Sequence, residues 1–160
     1  MEKHKEEHNH HKKPYIRLLI MAVLSYACMY VLMYAMVNTS NNAIPNTNQF
    51  YMAGLMAMPM IFIEVLLMKS MYKNKKWNTL ILTLSTLALI GFYGAIRQQI
   101  AIKNKQFLKS MIPHHAGAIL MCNEADITDP EIKKLCEQIV ASQRREIDQM
   151  KAKLEELKDK

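Results

Sequence analysis

Three long, nearly uncharged stretches decide what this chain can fold into. Leu18 to Val37 is the first. Phe50 to Met68 is the second, interrupted by Pro59 and Glu64, and Thr79 to Ile96 is the third, closed by Arg97. A transmembrane helix needs roughly 20 consecutive, mostly apolar residues, so the pattern predicts three spans. From Ile16 to Ile96 only Arg17, Glu64, Lys69, Lys73, Lys75 and Lys76 carry charge. The first run is too long for the apolar part of a signal peptide, and Asn38-Thr39-Ser40 lacks a small-x-small cleavage pattern. It is therefore read as a retained helix. With 4 Gly, 5 Pro and 8% aromatic residues among 160, a β-sandwich, a β-barrel and a Rossmann-type fold are all disfavoured. The fold class expected is all-α: three transmembrane helices, the third continuing into an extracytoplasmic antiparallel helical hairpin.

Lysine and arginine beside the spans set the orientation. Lys3, Lys5, Lys12, Lys13 and Arg17 precede the first span, and four lysines fill the loop between the second and third. The loop Asn38 to Gln49 has no charge, and Arg97, Lys103, Lys105 and Lys109 follow the third span. Nine basic residues against four place the N-terminus in the cytoplasm and the C-terminal region outside. Residues 1–15 then form a His/Lys-rich cytoplasmic tail, 16–97 the transmembrane region and 98–160 the extracytoplasmic hairpin. The net charge of 21 − 14 = +7 is explained by this topology. No basic helix interleaved with aromatics and no zinc-finger spacing is present, so a nucleic-acid partner is not expected.

Ten of the 14 methionines lie between Met21 and Met71. Met29, Met33 and Met36, and likewise Met52, Met56 and Met60, are spaced to share a helical face. A thioether-lined copper path is one reading, and gap-filling between packed helices is the other, simpler one. Pro59 is expected to kink its helix, Glu64 to reach toward the interface, with a functional carboxylate inside the bundle as the alternative, and Cys28 to sit buried. His4, His8, His10 and His11 in the tail offer weak metal-binding capacity without implying a use for it.

The chemistry is concentrated after Arg97. Ile100, Phe107, Leu108, Met111, His115, Ala118, Ile119 and Cys122 keep a helical rhythm, and nothing before Phe107 reads as a turn. The third span is therefore expected to run on from Thr79 to Glu124, bent at Pro113. Asp126 to Pro130 reads as a turn. Asp129 is suited to cap a second helix, with Pro130 and Glu131 in its first turn. Ile132, Leu135, Ile139, Ile147, Met150, Leu154 and Leu157 form the apolar stripe of that helix. Folded back on each other, the helices should set His115 level with Val140 to Gln143 and Met111 level with Arg144 to Ile147. Met111, His114, His115 and Met121 would then face Gln143, Glu146 and Met150 across one seam. Imidazole and thioether donors together suit copper, as Cu(I) or Cu(II). Adjacent histidines diverge by about 100° on a helix, so one can ligate while the other faces a partner helix. A core packed with methionine is the competing reading.

The stretch from Phe107 to Leu154 also resembles a bacterial family, domain of unknown function 305. The residues that carry the resemblance are Met111, His114, His115, Ala118 and Met121, then Gln143, Glu146, Ile147 and Met150. It implies a ferritin-like helical bundle linked to copper binding in the periplasm or at the cell surface. Cys122 and Cys136 are additions to that pattern. A disulfide between them is conceivable, but helix axes 8–10 Å apart often hold Cα atoms beyond bonding range, so they rank as auxiliary thiols. A two-helix hairpin is also only half of a four-helix bundle, which implies a homo-oligomer or packing by the long helix.

The function expected is a copper-binding protein of a bacterial inner membrane, serving sequestration or handover. Primary ligands would come from His114, His115, Met111, Met121 and Met150, with Gln143, Glu146, Cys122 and Cys136 as supporting or alternative ones. The alternative is a structural or regulatory membrane protein whose hairpin mediates oligomerisation. An enzyme is not expected: the only Glu-x-x-His spacing is Glu7 to His10 in the tail, and no Cys-x-x-Cys occurs.

Overall fold

The computed structural model describes residues 2–157, with side chains from residue 13 onward. The histidines of the N-terminal tail therefore lie outside the described side chains. Helix α1 spans Glu2–Leu32 and gives way to two short 3₁₀ turns, Met33–Met36 and Ser40–Asn42. Helices α2 (Thr47–Leu67), α3 (Lys75–Arg97), α4 (Asn104–Glu124) and α5 (Pro130–Glu156) follow. No strand occurs among the described residues. The helices divide into two compact units, one joining α1 to Phe50–Gln99, the other joining Leu32–Gln49 to the chain from Ile100 onward.

Three stretches are long and apolar enough to cross a membrane, Lys13–Met36, Thr47–Leu67 and Lys75–Arg97, and most of each belongs to the first unit. Leu19, Val23 and Leu24 on α1 and Leu84, Leu87 and Ile90 on α3 are all exposed. Water penalises such apolar surface by roughly 25 cal/mol per Å², whereas hydrocarbon does not. Between membrane helices, close approach over small residues replaces hydrophobic burial. On α2, Ala53 and Ala57 are fully buried. A Cβ on Gly54 would fall 2.5 Å from the Phe92 ring of α3, so glycine sets how closely these two helices meet. Met52, Met56 and Met60 share a face of α2, as the spacing predicts, but that face is exposed. Cys28 is also exposed, contrary to the buried position expected from the sequence.

Polar contacts gather at the α2–α3 turn. Tyr15 donates to Asn78 Oδ1 at 2.8 Å, and Asn78 Nδ2 donates to the Tyr72 carbonyl at 2.7 Å. Asn74 caps α3 by accepting from the amides of Lys76 and Trp77. Glu64 accepts from the Tyr72 hydroxyl at 3.4 Å.

One long helix from Thr79 to Glu124 does not form. Helix α3 ends at Arg97, and the chain breaks until Asn104. Gln99 and Ala101 both adopt positive φ, 49° and 59°, a conformation incompatible with helix continuation. Gln99 Nε2 donates to the Ile96 carbonyl at 2.7 Å, satisfying one of the acceptors left at the helix end. The helix thus ends at a left-handed backbone that contains neither glycine nor proline. Helix α4 itself passes through Pro113.

The second unit is built on the α4–α5 hairpin. The turn lies where the sequence predicts it. Asp129 Oδ1 accepts from the amides of Glu131 and Ile132 at 2.8 and 3.0 Å, and Pro130 opens α5. Ile112, Ala116, Ile119, Ile147 and Leu154 make the buried core, flanked by Leu108, Val140 and Met150. Ile112 and Ala116 are absent from the stripe inferred for α4, while Phe107, which is in it, is exposed. The stripe on α5 is covered only in part: Ile147 and Leu154 are buried, Ile132 and Leu135 exposed.

The uncharged loop is not a simple connection. Val37 and Ile44 pack on the hairpin core, and the amide of Thr47 donates to Gln106 Oε1 at 3.2 Å. The 3₁₀ turn Met33–Met36 lies so near α4 that a Cβ on Gly117 would stand 3.4 Å from the Met36 carbonyl oxygen. Asn46 and Gln49, both buried, bond reciprocally at the start of α2: Asn46 Oδ1 accepts from the Gln49 amide and Asn46 Nδ2 donates to Gln49 Oε1.

Candidate metal centre

His115 sits in the α4–α5 seam with its side chain 11% exposed. One face of its ring is tied to its own helix: Nδ1 lies 2.9 Å from the Met111 carbonyl oxygen. A carbonyl can only accept, so Nδ1 carries a hydrogen and donates. That fixes the ring and turns Nε2 toward α5, where Glu146 Oε2 lies 2.7 Å away. The other carboxylate oxygen, Oε1, accepts from the Ser142 hydroxyl at 2.6 Å. Ser142 and Glu146 are one helical turn apart, so α5 presents the pair on one side. Glu146 is less enclosed than His115, with 45% of its side chain exposed. The bond from Ser142, then the bond from His115, holds its carboxyl below the ordinary carboxylate range; the nearby charges of His115 and Arg145 act in the same direction, and partial desolvation opposes them.

Both ring nitrogens of His115 therefore face acceptors. A proton on Nε2 completes the bond to Glu146. A cation in that proton's place would meet an imidazole lone pair and a carboxylate oxygen together. An imidazole whose far nitrogen donates to a backbone carbonyl is the usual form of a metal-binding histidine.

The remaining predicted ligands are distributed differently. Met111 is half-buried, one turn before His115. His114 and Met121 lie on the exposed side of α4, Met121 being 54% exposed. They share this face with Phe107, because 107, 114 and 121 recur every seven residues. Met150 packs against the core cluster, and Gln143 is half-buried. The seam thus brings together His115 and Glu146 but not His114 or Met121. Glu146 lies three residues beyond the level predicted for His115, within reach of its long side chain. Among the described residues, no group of three or more His, Cys, Asp and Glu side chains is placed to hold a metal. Met111, one turn before His115 on α4, is the thioether nearest the pair in the sequence. Ser142 escaped sequence reasoning, although its spacing of four from Glu146 was a visible signal.

Cys122 and Cys136 are joined by a disulfide, with Cα atoms 5.3 Å apart. The interaxial distance of packed helices does not apply so near the turn, where the two helices converge. In this bonded form neither sulfur is a thiolate ligand. The disulfide borders a depression of about 480 Å³, whose charged lining residues are Lys133, Glu137 and Arg144.

Residues 95–154 match the model of the family described as Domain of unknown function (DUF305). An uncharacterized protein, L153, of Acanthamoeba polyphaga mimivirus is 37% identical over 144 residues, covering 88% of this chain and 93% of its own length. The chain belongs to the DUF305 family. Similarity to L153 extends far beyond the matched domain, so it includes most of the apolar N-terminal region. Because L153 is viral, the likeness is not confined to bacterial proteins. No solved structure matches the chain.

Proposed function

We propose that this DUF305 protein is a membrane-anchored metal-binding protein whose hairpin, held outside the cytoplasm, takes up copper for sequestration or handover. The observation that carries this reading is the His115–Glu146 pair. Its imidazole is fixed by the Met111 carbonyl, and its Nε2 is aimed at a carboxylate 2.7 Å away. Imidazole and carboxylate suit Cu(II), and the Met111 thioether is the soft donor nearest in the sequence for Cu(I). His114 and Met121 offer a second, surface set of the same donor types. The basic residues favour an extracytoplasmic hairpin, and so does the disulfide, which persists in oxidising compartments. Metal binding and transfer need no catalytic step, and the reading is non-enzymatic.

The test is copper titration of the purified full-length protein in detergent, with Cu(II) and, under reducing exclusion of oxygen, with Cu(I). Wild-type protein should bind copper stoichiometrically. His115→Ala should abolish tight binding, Glu146→Gln should weaken it by about 10- to 100-fold, and His114→Ala should leave the seam site in place. Retention of full affinity in His115→Ala would overturn the assignment.

A second reading has its own support. Phe107, Met121, Ile132 and Leu135 are all at least half exposed on the hairpin. Exposed apolar side chains of that kind serve association, which favours a homo-oligomer assembled through α4 and α5. Both readings can hold together, since a half-bundle that dimerises still contains its own seam.

A further inference from the structure

The depression beside the disulfide has a charge order that the metal site does not use. Lys133, Cys136, Glu137, Val140, Ala141 and Arg144 all line it. Their spacing of three and four makes them one continuous face of α5. From Lys133 to Arg144 this face runs about 16 Å along the helix axis. A cation stands at each end, the carboxylate of Glu137 stands one turn from Lys133, and the disulfide lies between the cations. The three charged side chains are exposed, and both cysteines are only partly buried. The sulfurs lie outside the core cluster, which begins one turn further down α4 at Ile119.

We propose that this face is a docking and exchange site for a small peptide thiol that carries a carboxylate at each end, an ammonium beside one of them and the sulfur in the middle. Glutathione is the simplest thiol of this class. Its two carboxylates match Lys133 and Arg144, its ammonium matches Glu137, and its central sulfur comes to the disulfide. Attack by its thiolate on one cysteine sulfur forms a mixed disulfide. The Cys122–Cys136 bond breaks, and its electron pair stays on the departing cysteine as thiolate, which takes a proton from water. A second thiolate attacks the mixed disulfide and releases the oxidised small disulfide and the second cysteine. The net reaction converts one protein disulfide and two small thiols into two protein thiols and one small disulfide. Cys122 stands two turns from His115 on one side of α4, so the reaction unfastens the seam above the His115–Glu146 pair.

The experiment reduces the oxidised full-length protein in detergent with glutathione and, separately, with cysteamine, a cationic thiol, at equal thiolate concentration. Thiols appearing at Cys122 and Cys136 are trapped by alkylation and counted by mass spectrometry. Glutathione should react faster by about tenfold, as expected for a charge-guided encounter, and the advantage should shrink with added salt. Lys133→Glu combined with Arg144→Glu should remove or reverse the preference while leaving the helical content unchanged. Equal rates for the two thiols in the wild-type protein would overturn the proposal. So would a preference that survives the double charge reversal, or a reduction rate independent of thiol concentration, which would mean that the bond opens only on unfolding.

Discussion

Removing the disulfide should loosen the hairpin by an amount that follows from where the bond lies. Cys122 and Cys136 are separated by 14 positions in the sequence, so the bond closes a loop of 15 residues around the α4–α5 turn. In the chain-entropy view, such a closure stabilises the folded form by about 3 kcal/mol. The half-buried cysteines leave little cavity when each loses its bond, so Cys122→Ser with Cys136→Ser should show mainly this loss. At about 1.36 kcal/mol per tenfold, the opened hairpin becomes more populated by a factor on the order of 100. Amide hydrogen exchange of the full-length protein reads this directly, because core amides exchange through cooperative opening. Amides around Ile112, Ala116, Ile119 and Ile147 should exchange on the order of 100-fold faster in the double variant. Amides in the middle of α2 and α3, which belong to the other unit, should be unchanged and serve as the internal reference. Unaltered protection along α4 and α5 would refute the reasoning, since the bond would then fasten nothing that opens.

Ile119 is 1% exposed, so Ile119→Ala should cost about 2–5 kcal/mol, measured as a lowered denaturant midpoint for hairpin protection. Glu146 has its folded-state carboxyl held below the ordinary value of 4.5. Its stabilising contribution is therefore whole above that value and is lost as pH falls through the lowered one. Hairpin protection should decline over this acid range in the metal-free protein and do so less in Glu146→Gln. Met121→Asp with Leu135→Asp should shift any oligomer toward monomer in analytical ultracentrifugation; an unchanged mass would place the interface elsewhere. Protease added to the outside of intact cells or sealed vesicles should remove the hairpin, and protection of the C-terminus from it would reverse the proposed orientation.

How far the sequence could be read depended on how local each determinant is. The α5 start was legible because Asp129, Pro130 and Glu131 act within one turn. The three apolar helices were legible because length and composition are enough to mark them. The break after Arg97 was not, because Gln99 and Ala101 adopt positive φ without a glycine to announce it. Nor was the packing of Val37 and Ile44 on the hairpin, a contact between segments some 70 residues apart in which the uncharged loop gave no periodic signal. The cysteine pair was misjudged for a geometric reason: a mean distance between helix axes says little beside a tight turn. At the candidate site, spacing sent His114 and Met121 into the seam together with His115, but it could not say which face of α4 the core would take, and both are exposed. The core selects Ile112, Ala116 and Ile119 on the opposite side.

That choice of core face gives the two adjacent histidines different chemistry. Successive residues on a helix diverge by about 100°, so both rings cannot enter one seam. His115 takes the buried direction, where Nδ1 is committed to the Met111 carbonyl and Nε2 meets Glu146. His114 is exposed, on the side of Phe107 and Met121, a surface that water or a second protein can reach. Loss of the His115 ring strips Glu146 of one hydrogen-bond donor and opens the seam beside Ile112 and Ala116. Loss of the His114 ring removes only a surface donor. Metal affinity and hairpin stability should therefore fall together at position 115 and both be kept at position 114, which is the signature of a site built into the seam rather than spread over the face of α4.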